Sequence, residues 1–390
     1  MGVYANTVSI TQYTITGDLP KNDEFQWFSE KLATKAFQSI ESSSDENSEG
    51  WTQVDHPDDA CFDVPSAFWR DNYLLFSLRR DQRKIPAAVL KSHTSREEGA
   101  FLSLHPNLRR TPKNKRNEIK EQVQLRLMSR CLPVPSTVDV VWDQKKRQLT
   151  LFSLGSKVIE RFEDVFRKTF EGLHPLAIHP FARARMLLEG QELEKLEKAN
   201  QANSDSVLAL IRDNQWMGWD FMLWLLQRGV NGEGEFGVCR PGHLTNGERF
   251  SAWIDDRIQL QGGGEEGGIQ KVSVSGSQDS YTEAISAIKG GKKITSATIC
   301  MEKDENIWKL TLKGETFGFA SFKSPQVRIE RDNTVEEMNE REAAFYERMY
   351  LLEQGIQLFD SLFTAFLKER LSDSWTGRLV AIQVWLDGGK

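Results

Sequence analysis

The residues of this chain best suited to chemistry are its cations. Between Arg79 and Arg147 there are 17 Lys and Arg against 7 Asp and Glu, a local +10, while the rest of the chain carries 33 against 49, or −16. The net charge of −6 hides this partition. It concentrates positive field on one part of an otherwise acidic surface, a pattern that suits a polyanionic partner. Three clusters make up the stretch. Arg79, Arg80, Arg83 and Lys84 close a strand-like run; Arg109 and Arg110 lead into Lys113, Lys115, Arg116 and Lys120; Lys145, Lys146 and Arg147 fill a polar turn. Spacings of three and four put Lys113, Arg116 and Lys120 on one side of a helix, with Ile119, Val123 and Leu127 on the adjoining side to anchor it. Aromatics are not interleaved with these cations as single-strand stacking would require. Contact with duplex phosphates, without base reading, is the expectation.

Other chemistry finds less support. The sequence contains no GxSxG, HExxH or GxxxxGK[ST] motif. The loop Gly262 to Gly268 (GGGEEGG) lacks the Lys-Ser/Thr of a phosphate cradle and holds two acids, so it is expected to be a flexible hairpin. His174 and His179 stand five apart, each next to a proline, and cannot share a helix face as metal ligands. Cys61, Cys131, Cys239 and Cys300 lie far apart with no CxxC pair, which suits reduced thiols and gives no zinc signature. Asp255 and Asp256 could hold Mg²⁺ in a nuclease, and this is the alternative reading. Neighbouring strand residues point to opposite faces, however, so only one of the two should face a given site. The expectation is a protein that is not an enzyme, with no catalytic residue, metal or cofactor.

The elements that must position the cations follow from periodicity. Residues 3–15 and 73–78 have strand composition, as does 138–152, interrupted by the turn at Asp143 to Arg147. A helix is expected from Asp23 to Ile40, another from Ile85-Pro86, a third capped by Thr111 with Pro112 in its first turn, and a fourth from Ser156 to Leu173. Glu189 to Ala202 is charged and looks like a connection. Trp216 to Leu226 is apolar all round, the mark of a deeply buried helix. Phe250 to Leu260 and Thr295 to Leu312 have the composition of strands. Phe345, Met349, Leu352, Ile356, Phe359, Phe363 and Phe366 recur at spacings of four and three, which predicts a long C-terminal helix packed against another.

A chain of 390 residues with 39% hydrophobic and 27% charged residues can bury more than one core. The fold class expected is α+β, with mixed or antiparallel sheets and packed helices. Segments 1–180 and 181–330 are each expected to be an α+β domain, with a helical segment at 331–390. No apolar run is long enough to cross a bilayer and no signal peptide is evident, so the protein is expected in the cytoplasm and away from membranes.

Four stretches resemble the recombination-associated RdgC family: LLFSLRRDQRKIPAAVLKSH (74–93), TPKNKRNEIKEQVQLRLMSR (111–130), VDVVWDQKKRQLTLFS (138–153) and SKVIERFEDVFRKTFEGL (156–173). The resemblance covers roughly residues 1–180 and is loose beyond. It implies a ring-forming protomer: a homodimer that encircles double-stranded DNA without sequence preference, is nucleoid-associated, and restrains RecA-driven strand exchange. It also implies a basic lining to the hole, a projecting finger near residues 93–126, and a dimer contact at Leu132, where the family carries an aromatic.

Overall fold

Apolar residues alternate along the first strand, β1 (Thr7–Thr16), burying Val8, Ile10 and Ile15. After it come α1 (Glu24–Thr34), β2 (Asn47–Thr52), β3 (Trp69–Arg70), β4 (Tyr73–Arg83), α2 (Ala87–Leu104), α3 (Lys113–Met128), β5 (Pro133–Asp143), β6 (Gln148–Leu151), α4 (Ser156–Thr169) and β7 (His174–Ala177). The remainder comprises α5 (Pro180–Leu187), α6 (Gly190–Ala199), α7 (Val207–Asp213), α8 (Trp216–Val230), β8 (Glu235–Gly237), β9 (Arg249–Gly263), β10 (Ile269–Ser275), α9 (Thr282–Lys289), β11 (Lys293–Lys303), β12 (Asn306–Lys313), β13 (Phe319–Lys323), α10 (Glu337–Arg370) and α11 (Trp375–Leu386). The structure is a computed structural model that describes residues 2–20, 23–43, 45–263, 268–276, 281–327 and 337–388, the side chains of 337–339 excepted. The class is α+β with antiparallel pairing and a long helix near the C-terminal end, as the sequence implied.

Contacts divide the chain into a smaller unit, residues 17–144 with 162–173, and a larger one, residues 1–16, 145–161 and 174–390. This differs from the expected succession of segments 1–180, 181–330 and 331–390. The physical reason is strand pairing: β1 aligns antiparallel with β13, Thr7 opposite Lys323, as well as with β6 and β7.

In the smaller unit β4 pairs with β2 on one side and, from Tyr73↔Asp143 to Arg83↔Pro133, with β5 on the other; β3 pairs with the start of β4. One face of this sheet carries an aromatic core. Phe162, Phe166 and Phe170 recur every four residues, so they form one stripe. Phe166 lies 5.7 Å from Trp142, Phe28 of α1 lies 5.3 Å from Trp142, and Trp51 lies 5.0 Å from Phe76. The buried indole of Trp51 donates to Thr169 Oγ1 at 2.8 Å, which removes the cost of an unpaired N–H inside the core. The first helix stops at Thr34 rather than Ile40, yet Phe37 is still buried.

In the larger unit β9 pairs with β10, β8 and β11, β11 with β12, β12 with β13, and β13 with β1. β9 and β10 form the hairpin expected at GGGEEGG, though residues 264–267 at its centre lie outside the described ones. Helix α10 lays Phe359 4.7 Å from Phe319 and Phe363 4.8 Å from Phe317, while Phe221 of α8 packs 5.3 Å from Phe363. Of the C-terminal series only Ile356 is no more than half-buried. The turn after β12 approaches α8 so closely that a Cβ on Gly218 would sit 2.2 Å from the Gly314 carbonyl oxygen, so glycine is required there. Glu189 to Ala202, expected as a connection, contains α6, which buries Leu196.

Candidate nucleic-acid interface

The three cationic clusters meet different fates. Over the last five residues of β4 the burial alternates, so Arg79, Asp81 and Arg83 share the buried face while Arg80 and Gln82 face outward. Arg79 grips Asp81 with two bonds of 2.8 and 3.0 Å, donates to Asp58 at 2.5 Å and to the Pro57 carbonyl at 2.9 Å, and lies 4.5 Å from the Phe37 ring. The bonds to Asp81 outweigh burial and hold its guanidinium firmly charged. Arg83 donates to five backbone carbonyls, those of Asp45, Cys131, Ile40, Glu41 and Ser43. Both side chains are saturated inside the smaller unit and bind the chain to itself. They are therefore not surface contacts for phosphate, as their sequence neighbourhood had suggested. Arg80 is half-buried and donates to Asn47 Oδ1 at 3.1 Å, and Lys84 is exposed where the strand hands over to α2.

The second cluster sits on a helical hairpin formed by α2 and α3. None of the residues of α2 is buried, and in α3 only Ile119 and Val123 are. A helix of this length rises about 1.5 Å per residue, so α2 is about 27 Å long. Ion pairs tie the two helices: Arg116 to Glu98 and Arg126 to Glu97, both at 2.8 Å. The bond from Arg126 holds the Glu97 carboxyl below its usual range. Lys115 bridges to Glu118 at 2.8 Å and lies 5.9 Å from the Phe101 ring. Lys113, Arg116 and Lys120 are exposed, and Ile119 and Val123 anchor the adjoining side as the spacing predicted. The N-cap is Pro112 rather than Thr111, and no side chain caps the helix. Arg109 and Arg110 are exposed in the loop between the helices. Among the described residues Lys84, Arg109, Arg110, Lys113 and Lys120 make no ion pair. Lys91, Arg96 and Arg130 also make no ion pair among the described residues, and their place in the same basic stretch was the signal that could have added them.

The third cluster belongs to the larger unit, in the turn between β5 and β6. Lys146 pairs with Glu353 of α10 at 2.6 Å, Arg147 takes a left-handed backbone conformation, φ 52°, and Lys145 is exposed. Leu132, just before β5, is 81% exposed.

Asp255 and Asp256 both reach one lysine: Lys309 Nζ lies 2.5 Å from Asp255 and 3.4 Å from Asp256. Strand alternation had allowed only one of them at a common site. The register of β9 against β11 slips here, Ile258 facing Ala297 but Ile254 facing Ile299, and this irregularity turns both carboxylates to the same cation. Beside them burial pushes the Cys300 thiol up to about 12, so it stays protonated. His179 is buried and held down to about 4, chiefly by desolvation, so it is neutral. Among the described residues no group of three or more His, Cys, Asp and Glu is arranged to hold a metal, and no helix is long and apolar enough to cross a membrane.

Residues 9–187 match the family model described as "Putative exonuclease, RdgC". No curated protein matches the chain.

Proposed function

We propose, from the match of residues 9–187 to the RdgC family model, that the chain is a recombination-associated nucleoid protein of that family and binds double-stranded DNA without sequence preference through the α2–α3 hairpin. The observation that carries this reading is the set of exposed, unpaired cations on that hairpin and its loop, Arg109, Arg110, Lys113 and Lys120 foremost, within an acidic protein. Phosphates neutralise such a surface and release counterions, which supplies affinity without base recognition. In the proposed arrangement two copies meet near Leu132, the hairpins line an opening around the duplex, and occupancy of the duplex restrains RecA-driven strand exchange. The protein acts by binding and is not an enzyme. The carboxylates that a nuclease would need at Asp255 and Asp256 are engaged by Lys309.

The test is fluorescence anisotropy with duplexes of unrelated sequence over a range of salt. Affinity falls steeply with salt, each phosphate contact adding about −0.9 to the slope of log K against log salt. In the triple variant Lys113→Glu, Arg116→Glu, Lys120→Glu the slope is shallower by about 2 to 3, and all sequences are weakened alike. Salt-independent binding, or loss confined to one sequence, overturns the reading. Degradation of linear duplex with Mg²⁺ that disappears in Asp255→Ala favours the nuclease instead.

A further inference from the structure

A cavity of about 510 Å³ opens in the larger unit where β9, β11 and β12 end beside the start of α8. That volume falls within the range of small-molecule sites, about 300–1,000 Å³. Several polar side chains stand on its wall. Gln259 and Gln261 come from β9, Lys293 and Ser296 from β11, Lys313 from β12, and the half-buried indole of Trp219 from α8. Ser296 is 3% exposed, and its Oγ is buried with no hydrogen-bond partner among the described residues. An orphaned hydroxyl of this kind calls for a partner that the protein itself does not supply. Lys293 and Lys313 are exposed and make no ion pair among the described residues, and Glu315 is the one acid among the described residues that line the cavity.

We propose that this cavity binds a nucleotide, either free or as an unpaired residue of a DNA strand. A flat base has a face to stack on the Trp219 indole, and stacking of this kind tolerates any base. Carboxamides offer both a donor and an acceptor, the combination that base edges also present, and two glutamines stand side by side on the wall. The two lysines supply the charge for a phosphate. Ser296 Oγ gains the partner it lacks. The site is independent of duplex contact by the α2–α3 hairpin, in sequence and in the unit that carries it.

Isothermal titration of the full chain decides the matter, with dAMP, a short 5′-phosphorylated single-stranded oligodeoxyadenylate and inorganic phosphate as probes. Saturable binding of dAMP or of the oligonucleotide is expected, weakened about tenfold or more by Lys293→Gln with Lys313→Gln and by Ser296→Val. The hairpin variant Lys113→Glu, Arg116→Glu, Lys120→Glu keeps it unchanged, which separates this site from duplex binding. Tighter binding of dAMP identifies the free nucleotide, and tighter binding of the oligonucleotide identifies the strand; either supports the proposal. Three results overturn it: no saturable binding of either nucleotide probe, inorganic phosphate bound as tightly as dAMP, or affinity unchanged in both cavity variants with their melting midpoints intact.

Discussion

Arg79 and Arg83 on β4 and Lys113 and Lys120 on α3 belong to one basic stretch of sequence, yet they do opposite work. The strand arginines are enclosed by a carboxylate pair and by five carbonyls, so their charge is spent on holding loops of the smaller unit against its sheet. The helix lysines stand in solvent and make no ion pair among the described residues. Planar guanidinium groups suit the first task because five fixed donors can satisfy several acceptors at once, and long flexible ammonium stems suit the second. Counting charge along a chain thus mixes cations that build the fold with cations that the fold offers to a ligand.

The largest effect that sharpens this contrast is expected from Arg79→Met. It leaves Asp81, 2% exposed, without its partner, and stability in urea should fall by about 3–5 kcal/mol. Arg83→Lys keeps the charge but loses the fork, and a loss of about 1–3 kcal/mol is expected with duplex affinity of the folded protein unchanged. Were affinity to drop at unchanged stability, the division between structural and ligand-facing cations would break. The smallest effect belongs to Glu98→Gln, which releases Arg116. Thermal stability should change by less than about 1 kcal/mol, since the pair is partly exposed, and anisotropy should show duplex affinity equal or slightly higher.

Local features were legible in the sequence where local physics decides them. The 3.6-residue rhythm of Ile119 and Val123 located the buried side of α3, and the four-residue recurrence of Phe162, Phe166 and Phe170 located the core stripe of α4. Strand alternation sets Arg79, Asp81 and Arg83 on one face and Arg80 and Gln82 on the other, but the residues before them are buried without alternation, so the sequence does not say which of the two faces is enclosed. The division into units was not legible, because β1 finds β13 more than 300 residues away and nothing local encodes that pairing. The orphaned Ser296 hydroxyl was equally silent, since it depends on what three strands and a helix leave unfilled.

The pairing of β1 also sets a timetable for synthesis. β6 and β7 complete one set of its partners by Ala177, but β13 begins only at Phe319, some 140 residues later. At about 5–20 residues per second the ribosome takes on the order of 7–30 s to cover that distance. Through that interval Thr7 to Ile10 wait with backbone groups that no later strand has yet met, while β2, β4 and β5 of the smaller unit already have one another. An unpaired strand edge is a template for other chains, so the moments of greatest aggregation hazard for this protein fall in the middle of its translation.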